Sequence, residues 1–350
     1  MKPLITALID TYNHERYIEQ ALVSVLEQRL SASELEIVVV DDGSTDKTPS
    51  IIAKFAPRVR HIQKKNGGQA SAFNAGFSES SGEIVALLDG DDWWAKNKLI
   101  TVAEALEKNP QVAAVGHGHF KFYEKTNELQ TCVPPNRMFL NLQTPDAVRS
   151  WPFLLMGALT VRRKVLEWIM PIPEEMTFMA DSAIQAAATV MGALILEDPL
   201  FYYRWHAQNL YAFDLDDSDR TQNVAALRRK IEMTELVYGG VSKRLIELGV
   251  PQEQVSDLLG SVWLEAKRSR LHLSGGTRKE TFQTEMQSFK RAFKNPSIGY
   301  LLYKYLFVGA ATVLFPPKQF YKYRRWYAKH KLGRYRDRLL REDVLRSDKS

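Results

Sequence analysis

Short apolar runs alternate with amphipathic segments along the first 115 residues. Runs containing Val, Ile, Leu or Ala predict buried strands, and they lie at residues 4–9, 37–40, 59–62, 84–88 and 112–115. Between them, apolar residues recur at helical spacing, as in residues 15–28 and 96–108. This alternation is typical of an α/β protein with a mostly parallel, open sheet and helices on both faces.

Polar clusters follow three of the predicted strands, at residues 10–13, 41–46 and 89–92. In open α/β sheets the carboxyl ends of parallel strands share one edge, where ligands bind. Asp89, Asp91 and Asp92 would repel one another there unless a cation lay among them, and carboxylate oxygens are ligands for hard divalent cations. A polar turn that only caps the next helix would explain residues 89–92 equally well.

The turn after the first strand excludes two common nucleotide motifs. Asp10, Thr11, Tyr12 and Asn13 stand where a dehydrogenase would carry a glycine-rich G-x-G-x-x-G turn, and no P-loop is present. Side chains that read a base and ribose, with a metal to neutralise the diphosphate, suit a sugar nucleotide better than NAD.

Four motifs occur in one order over about the first 95 residues. They are Thr-Tyr-Asn at 11–13, Asp-Asp-Gly-Ser-Thr-Asp at 41–46, Asn-Gly-Gly with Asn-Ala-Gly at 66–76, and Leu-Asp-Gly-Asp-Asp at 88–92. Together they resemble the GT-A glycosyltransferases of family 2. The resemblance implies a GT-A fold, an inverting reaction, a nucleotide-sugar donor, and Mn²⁺ or Mg²⁺ as cofactor.

The resemblance also implies roles for particular residues. Tyr12 would stack on the nucleobase, and Asp41 or Asp42 would accept a hydrogen bond from the base imide. Asp91 is the best candidate for the metal ligand, and Asp89 would lie nearer the ribose. Asp92 would either bind the metal as well or support a residue that binds it. The full set implied to bind the nucleotide sugar is Thr11, Tyr12, Asn13, Asp41, Asp42, Asn66, Gly67, Asp89, Gly90, Asp91, Arg204 and His206.

Two further segments resemble the same family downstream. Asp181 would be the general base that takes the proton from the acceptor hydroxyl, although Ala180 stands where the family commonly has Glu. An N-cap is the alternative role for an Asp before a helix, and both roles are compatible. Arg204 and His206 would supply positive charge or metal ligation near the leaving group, while a structural hydrogen bond is the alternative for His206.

The β pattern ends near residue 219. We expect a GT-A domain at residues 1–215, a helical appendage at 216–295, and an apolar helix with a basic tail at 296–350. The apolar stretch at 298–315 has 18 residues with Lys304 inside, which is marginal for a span of about 20 residues. A helix in the membrane interface is favoured, and a buried helix with a solvated tail is the alternative.

Charge and cysteine content bear on partners and location. The net charge is +6, but residues 316–350 carry twelve Lys or Arg against four Asp or Glu, so the remainder is slightly acidic. The basic character thus belongs to a tail, and no nucleic-acid partner is expected. A single cysteine, Cys132, and an N-terminus without a signal-peptide pattern predict a cytoplasmic protein, at the inner face of the cell membrane if the apolar helix binds lipid.

The leading hypothesis is therefore a glycosyltransferase, with a UDP-sugar favoured as donor and a glycan or lipid-linked acceptor, in cell-surface polysaccharide or glycoconjugate synthesis. Oligomerisation is left open. One alternative is a sugar-nucleotide-binding or membrane scaffold protein without catalysis, suggested by Ala180. The other is a nucleotidyltransferase, against which the missing glycine- and arginine-rich N-terminal loop counts.

Overall fold

The structure, a computed structural model, describes residues 4–31, 33–144, 147, 153–177, 179–207, 209, 220–292, 312, 314–317 and 319–320. Ten strands in these residues form one sheet. They are β1 (Ile5–Thr11), β2 (Leu35–Asp41), β3 (Arg60–Gln63), β4 (Ile84–Asp89), β5 (Trp93–Trp94), β6 (Ala114–Tyr123), β7 (Glu128–Cys132), β8 (Met138–Leu140), β9 (Thr160–Arg162) and β10 (Ala193–Trp205).

The strand order in the sheet is β3-β2-β1-β4-β9-β6-β10-β5, with β7 beside β6 and β8 beside β10. The pairs β3–β2, β2–β1, β1–β4 and β6–β10 are parallel. Strands β5, β7, β8 and β9 run antiparallel to the strands that they pair with. The predicted α/β class with a mostly parallel central sheet is confirmed.

Helices follow the strands as the apolar periodicity predicts. They are α1 (Ile18–Leu26), α2 (Thr48–Ala53), α3 (Gln69–Ser78), α4 (Lys98–Lys108), α5 (Arg163–Ile169), α6 (Asp181–Met191), α7 (Arg220–Glu247), α8 (Gln252–Ser274) and α9 (Arg278–Ala292). The last three confirm the predicted helical C-terminal region.

Two buried layers lie on the two faces of the sheet. Successive side chains of a strand point to opposite faces, so Leu8 of β1 and Leu87 of β4 join one layer with α3, α5 and α6. Ile9 and Leu88 join the other layer, with α1 and α4. The same alternation puts Asp10 and Asp89 on the face that carries α3 and α6.

The chain divides into two compact units. The first comprises residues 1–216 and 235–260, and the second comprises 217–234 and 261–350. In the first unit, Val241 and Leu258 belong to the same buried layer as α5 and α6, and Arg244 donates to the carbonyl oxygens of Ile169 and Met170 at 3.2 and 2.9 Å. The domain limits expected from the sequence stay a prediction.

The second unit has its own stabilising contacts. Arg268 of α8 forms a bidentate ion pair with Glu285 of α9: its Nε and Nη2 atoms donate to the two carboxylate oxygens at 2.8 and 3.1 Å. Bidentate pairs are stronger than those with a single hydrogen bond. Thr277 and Glu280 form a capping box at the start of α9.

Of the apolar stretch 298–315, only residues 312, 314 and 315 are described, so its predicted interfacial helix lies outside the described residues. Among the helices within the described ranges, none is long and apolar enough to cross a membrane.

Candidate active site

Carboxylates crowd the edge of the sheet where β1 and β4 end. Asp10 and Asp89 are directly paired in the parallel register, so their side chains leave the same face from adjacent strands. The Oδ1 atom of Asp10 is buried without a hydrogen-bond partner. Burial, with the charge of Asp91 next, raises the pKa of Asp10 to about 8. Burial and the charges of Asp10 and Asp91 likewise raise the pKa of Asp89 well above its usual range.

Asp91 stands among imidazoles instead. Its Oδ2 atom lies 3.0 Å from Nε2 of His206 and 3.9 Å from Nε2 of His14, and the Asn209 amide donates to it at 3.4 Å. Burial opposes ionisation, but the two imidazoles outweigh it, so the pKa of Asp91 is lowered. Asp91 is therefore the member of the cluster that is most readily ionised.

Contacts between Asp92 and Arg204 connect the turn at residues 89–92 to β10. Asp92 is almost fully buried, and its Oδ1 atom accepts from the Arg204 backbone N–H at 2.7 Å. The Arg204 guanidinium donates to the Asp91 carbonyl at 2.8 Å and lies over the rings of Tyr17 and Trp93, 4.8 and 4.5 Å from their centroids. These contacts give Arg204 a structural role in holding the turn, and its predicted role beside the leaving group stays a prediction.

Thr11, Asn13 and Gly90 shape the same edge. The Thr11 hydroxyl lies 3.2 Å from Nδ1 of His14. Asn13 adopts a left-handed backbone conformation at φ +55°, and its side chain accepts from the Thr45 backbone N–H at 2.8 Å. A Cβ at Gly90 would lie 2.5 Å from the Thr11 hydroxyl, so β1 and the acidic turn approach too closely for any other residue there.

Tyr12 and Asp41 lie at the ends of β1 and β2. The Tyr12 side chain is 45% exposed, which leaves a ring face free for stacking. Asp41 is fully buried; its Oδ1 atom accepts from the Ser44 backbone N–H at 2.8 Å. Its Oδ2 atom and Nε2 of His61 are 3.8 Å apart, and neither has a hydrogen-bond partner.

Asp42 organises the loop before α3. Its carboxylate accepts from the backbone N–H groups of Gly67 and Gly68, the shortest bond being 2.7 Å, and from Lys64 Nζ at 2.7 Å. Asn66 lies exposed in this loop. The acceptor atoms of Asp42 are thus used within the protein, whereas Oδ2 of Asp41 has no hydrogen-bond partner but is buried beside His61. Which of the two residues accepts from a base stays a prediction.

Asp181 is the first residue of α6, and its carboxylate accepts hydrogen bonds from backbone N–H groups at the helix start, those of Ser182 and of Asp181 itself. Its Oδ2 atom accepts from the Gln185 amide at 2.9 Å, and the same amide donates to the Leu154 carbonyl at 3.0 Å. Burial raises the pKa of Asp181 to about 6. At pH 7 and above this carboxylate is largely ionised and able to accept a proton.

Gln69 brings the two halves of the site together. Its Oε1 atom accepts from the Ala180 backbone N–H at 2.9 Å, and its Nε2 atom donates to Oδ1 of Asp89 at 3.5 Å. One side chain thereby spans from the acidic edge to the residue before Asp181. Sequence reasoning did not single out Asp10, His14, Gln69, Gln185 or Asn209, and only Asp10, inside a recognised polar cluster, had a signal that could have found it.

Known glycosyltransferases resemble the first part of this chain. Residues 6–167 match Glycosyl transferase family 2. The uncharacterized glycosyltransferase alr2836 of Nostoc sp. is 36% identical over 216 residues, which cover 59% of this chain and 66% of that protein. The uncharacterized glycosyltransferase EpsJ of Bacillus subtilis is 29% identical over 229 residues, covering 60% and 63%. The matches thus span just under two thirds of these relatives.

Solved structures share the fold at low sequence identity. S. aureus TarS 1–349 aligns with a TM-score of 0.59 and 17% identity over 91% of each chain, and its complex with UDP-GlcNAc aligns with a TM-score of 0.55 and 18% identity. The mannosyltransferase PcManGT of Pyrobaculum calidifontis, in complex with GDP-Man and Mn²⁺, aligns with a TM-score of 0.50 and 22% identity. The fold is therefore of the GT-A type. Within it, residues 6–167 match the model of glycosyl transferase family 2, the family that the four motifs resemble.

Proposed function

We propose that this protein is an inverting glycosyltransferase that moves a sugar from a nucleoside-diphosphate sugar, with a UDP-sugar favoured, to an acceptor hydroxyl. The observation that carries the proposal is the bridge made by Gln69, which places the start of α6 beside the acidic edge of the sheet. A donor site and a base therefore lie within reach of one substrate. The family match and the UDP-GlcNAc complex of TarS support the class of donor.

The acidic edge fits a divalent cation, Mn²⁺ or Mg²⁺. The described residues contain no preformed group of three or more metal-binding side chains, but Mg²⁺ is commonly held by one or two carboxylates together with substrate phosphates. The unpartnered Oδ1 of Asp10 and the carboxylates of Asp89 and Asp91 offer the hard oxygen donors such an ion needs. As metal ligands we assign Asp91 first and Asp89 second, with Asp92 as a third candidate. The bound ion would neutralise charge on the departing diphosphate.

Proton removal falls to Asp181. As the acceptor oxygen attacks the anomeric carbon, its proton passes to the Asp181 carboxylate, and the bond from the anomeric carbon to the diphosphate breaks with its electron pair going to the nucleotide. Attack opposite the leaving group inverts the configuration at that carbon. Gln185 donates to the Oδ2 atom of Asp181 and thereby orients the carboxylate that takes the proton.

We assign base recognition to Tyr12 together with Asp41 or Asp42. Stacking on the exposed ring of Tyr12 and a hydrogen bond from the base imide to the carboxylate of Asp41 or Asp42 would select a pyrimidine such as uracil. Thr11, Asn13, Asn66, Gly67 and Gly90 shape the surrounding backbone, and Arg204 and His206 would act near the diphosphate through their contacts with Asp91.

For the acceptor, we propose a glycan or lipid-linked sugar in cell-surface polysaccharide or glycoconjugate synthesis. The apolar stretch at 298–315 and the basic tail support a position at the membrane surface. Sedimentation with anionic vesicles tests this proposal; truncation after Asn295 should abolish co-sedimentation, and a full-length chain that stays in the supernatant at physiological salt refutes it.

The donor proposal is tested by a thermal-shift screen of UDP-, GDP- and dTDP-sugars with and without Mn²⁺. A ligand at 100-fold excess over its dissociation constant should stabilise the protein by about 2.7 kcal/mol. UDP-sugars are expected to give the largest Mn²⁺-dependent shift and, with Asp181 intact, release of UDP. No shift from any nucleotide sugar would refute the proposal, and a shift without turnover would favour a binding protein without catalysis.

A further inference from the structure

The segment that leads into α6 is attached to the first turn of α3. The backbone N–H groups of Gln69 and Ala70 donate to the carbonyl oxygens of Thr177 and Met176 at 2.8 and 3.3 Å. Such N–H groups have no partner within their own helix, so this segment supplies one. Gly68, at φ +84°, packs so closely that a Cβ there would lie 2.6 Å from Cα of Thr177.

A second attachment lies one turn further along α3. The Asn74 amide donates to the Ile172 carbonyl at 2.9 Å and accepts from the Ile172 backbone N–H at 2.8 Å. The approach to α6 is therefore held by α3 at both ends, near Ile172 and near Thr177.

The side chain of Gln69 adds the last bond before the candidate base. Ala180 precedes Asp181, and its N–H reaches Oε1 of Gln69 at 2.9 Å while Nε2 of the same amide faces Asp89 at 3.5 Å. Gln185 fixes the orientation of the Asp181 carboxylate from within α6, but it moves with that helix. Among the described contacts, the Gln69 side chain joins the start of α6 directly to a carboxylate of the acidic edge.

We propose that Gln69 is a positioning residue, which sets the distance between Asp181 and the donor bound at Asp89; this inference rests on the proposed function. Reacting groups must lie within about 3–3.5 Å of each other, and a misplacement of about 1 Å costs on the order of 100-fold in rate. The bond from Ala180 to Gln69 prevents such a shift of the helix start.

Gln69→Met keeps the length of the side chain and removes both hydrogen bonds. We expect faster amide hydrogen exchange in the peptide covering residues 176–182 and a fall in kcat for UDP-GlcNAc turnover of about 10- to 100-fold. The dissociation constant for UDP with Mn²⁺ should change by less than about threefold, because a shift of this helix start alters the reacting geometry rather than nucleotide binding. The matched control is Gln254→Met, on an exposed position of α8, which should leave all three quantities unchanged.

Gln69→Glu distinguishes loss of the hydrogen bond to Ala180 from a nonspecific effect of replacing Gln69. Its carboxyl oxygen can still accept from Ala180 N–H, so at saturating Mn²⁺ kcat and the exchange rate of residues 176–182 should return to within about fivefold of wild type. If Gln69→Glu is as impaired as Gln69→Met, or if Gln69→Met leaves exchange and kcat unchanged, the positioning role is wrong. A wild-type protein that neither binds UDP nor releases it would instead refute the proposed function, while the exchange measurement still decides whether Gln69 holds the start of α6.

Discussion

Replacing Asp10 by Asn should stabilise the protein when no divalent cation is present. The Asp10 carboxyl is held next to Asp89 and Asp91, and its pKa of about 8 compares with 3.8 for the free side chain. Between these pH values the unfolded chain loses this proton while the folded protein keeps it. Stability is therefore lost as pH rises through that window, and the loss is complete above about pH 8.

The size of the effect follows from the shift. Roughly four pKa units at about 1.4 kcal/mol each give an upper limit of about 6 kcal/mol. Repulsion between Asp89 and Asp91 remains in Asp10→Asn, so we expect a gain of a few kcal/mol at pH 8 in EDTA. For a domain of this size that is roughly 5–15 °C in Tm. At pH 4, close to the free side-chain pKa of 3.8, the folded carboxyl is neutral and the unfolded one is only partly ionised, so the gain should nearly vanish.

The assay is thermal or urea unfolding of wild type and variant from pH 4 to 8 in EDTA. Asp198→Asn is the matched control, because Asp198 is exposed and its substitution should leave the pH dependence unchanged. The reasoning fails if Asp10→Asn is no more stable than wild type at pH 8, or if its advantage is as large at pH 4.

The other predictions concern donor binding, proton transfer and the loop before α3. Asp91→Asn should weaken Mn²⁺-dependent UDP binding by at least about tenfold in titration calorimetry, since it removes the most readily ionised carboxylate; unchanged binding would exclude Asp91 as a ligand. Asp181→Asn should lower kcat about 100- to 10,000-fold with UDP binding retained. In the wild type, whose Asp181 has a pKa of about 6, kcat should rise with pH through that value, and a flat profile would argue against this base. Gly68→Ala should lower the free energy of unfolding, measured in urea, by about 1–3 kcal/mol, because Gly68 has a φ of +84° and a Cβ there would clash with Thr177. The control Gly239→Ala, within α7, where a Cβ would lie in open space, should be neutral or stabilising.

Much of the fold follows from the sequence because the apolar runs are short, regular and separated by polar turns. The ends of the strands do not follow from it. Hydrophobicity stops β1 before Asp10 and β4 before Asp89, yet the backbone ladder continues through both residues, since parallel pairing depends on N–H and C=O groups and not on side-chain polarity. Strand β6 likewise runs on through His117 and His119, which an apolar pattern could not reveal.

The candidate site was predictable where it consists of local motifs and not where it consists of distant contacts. Tyr12, Asp91 and their neighbours lie in recognisable short segments. The partnership of Gln69 with Ala180 joins residues 111 positions apart, and no periodicity or spacing indicates it. For Asp10 the sequence indicates the shared edge of the sheet, but its position directly opposite Asp89 depends on the register between two strands that are not consecutive in the chain.

The helical segment 235–260 has a practical consequence for any shortened form of the protein. Its apolar side chains complete the buried layer over α5 and α6, so a fragment that ends at residue 215 would present that layer to water and be prone to aggregation. We therefore expect a stable fragment of the first unit to extend to about residue 260. The first compact unit therefore ends within α8.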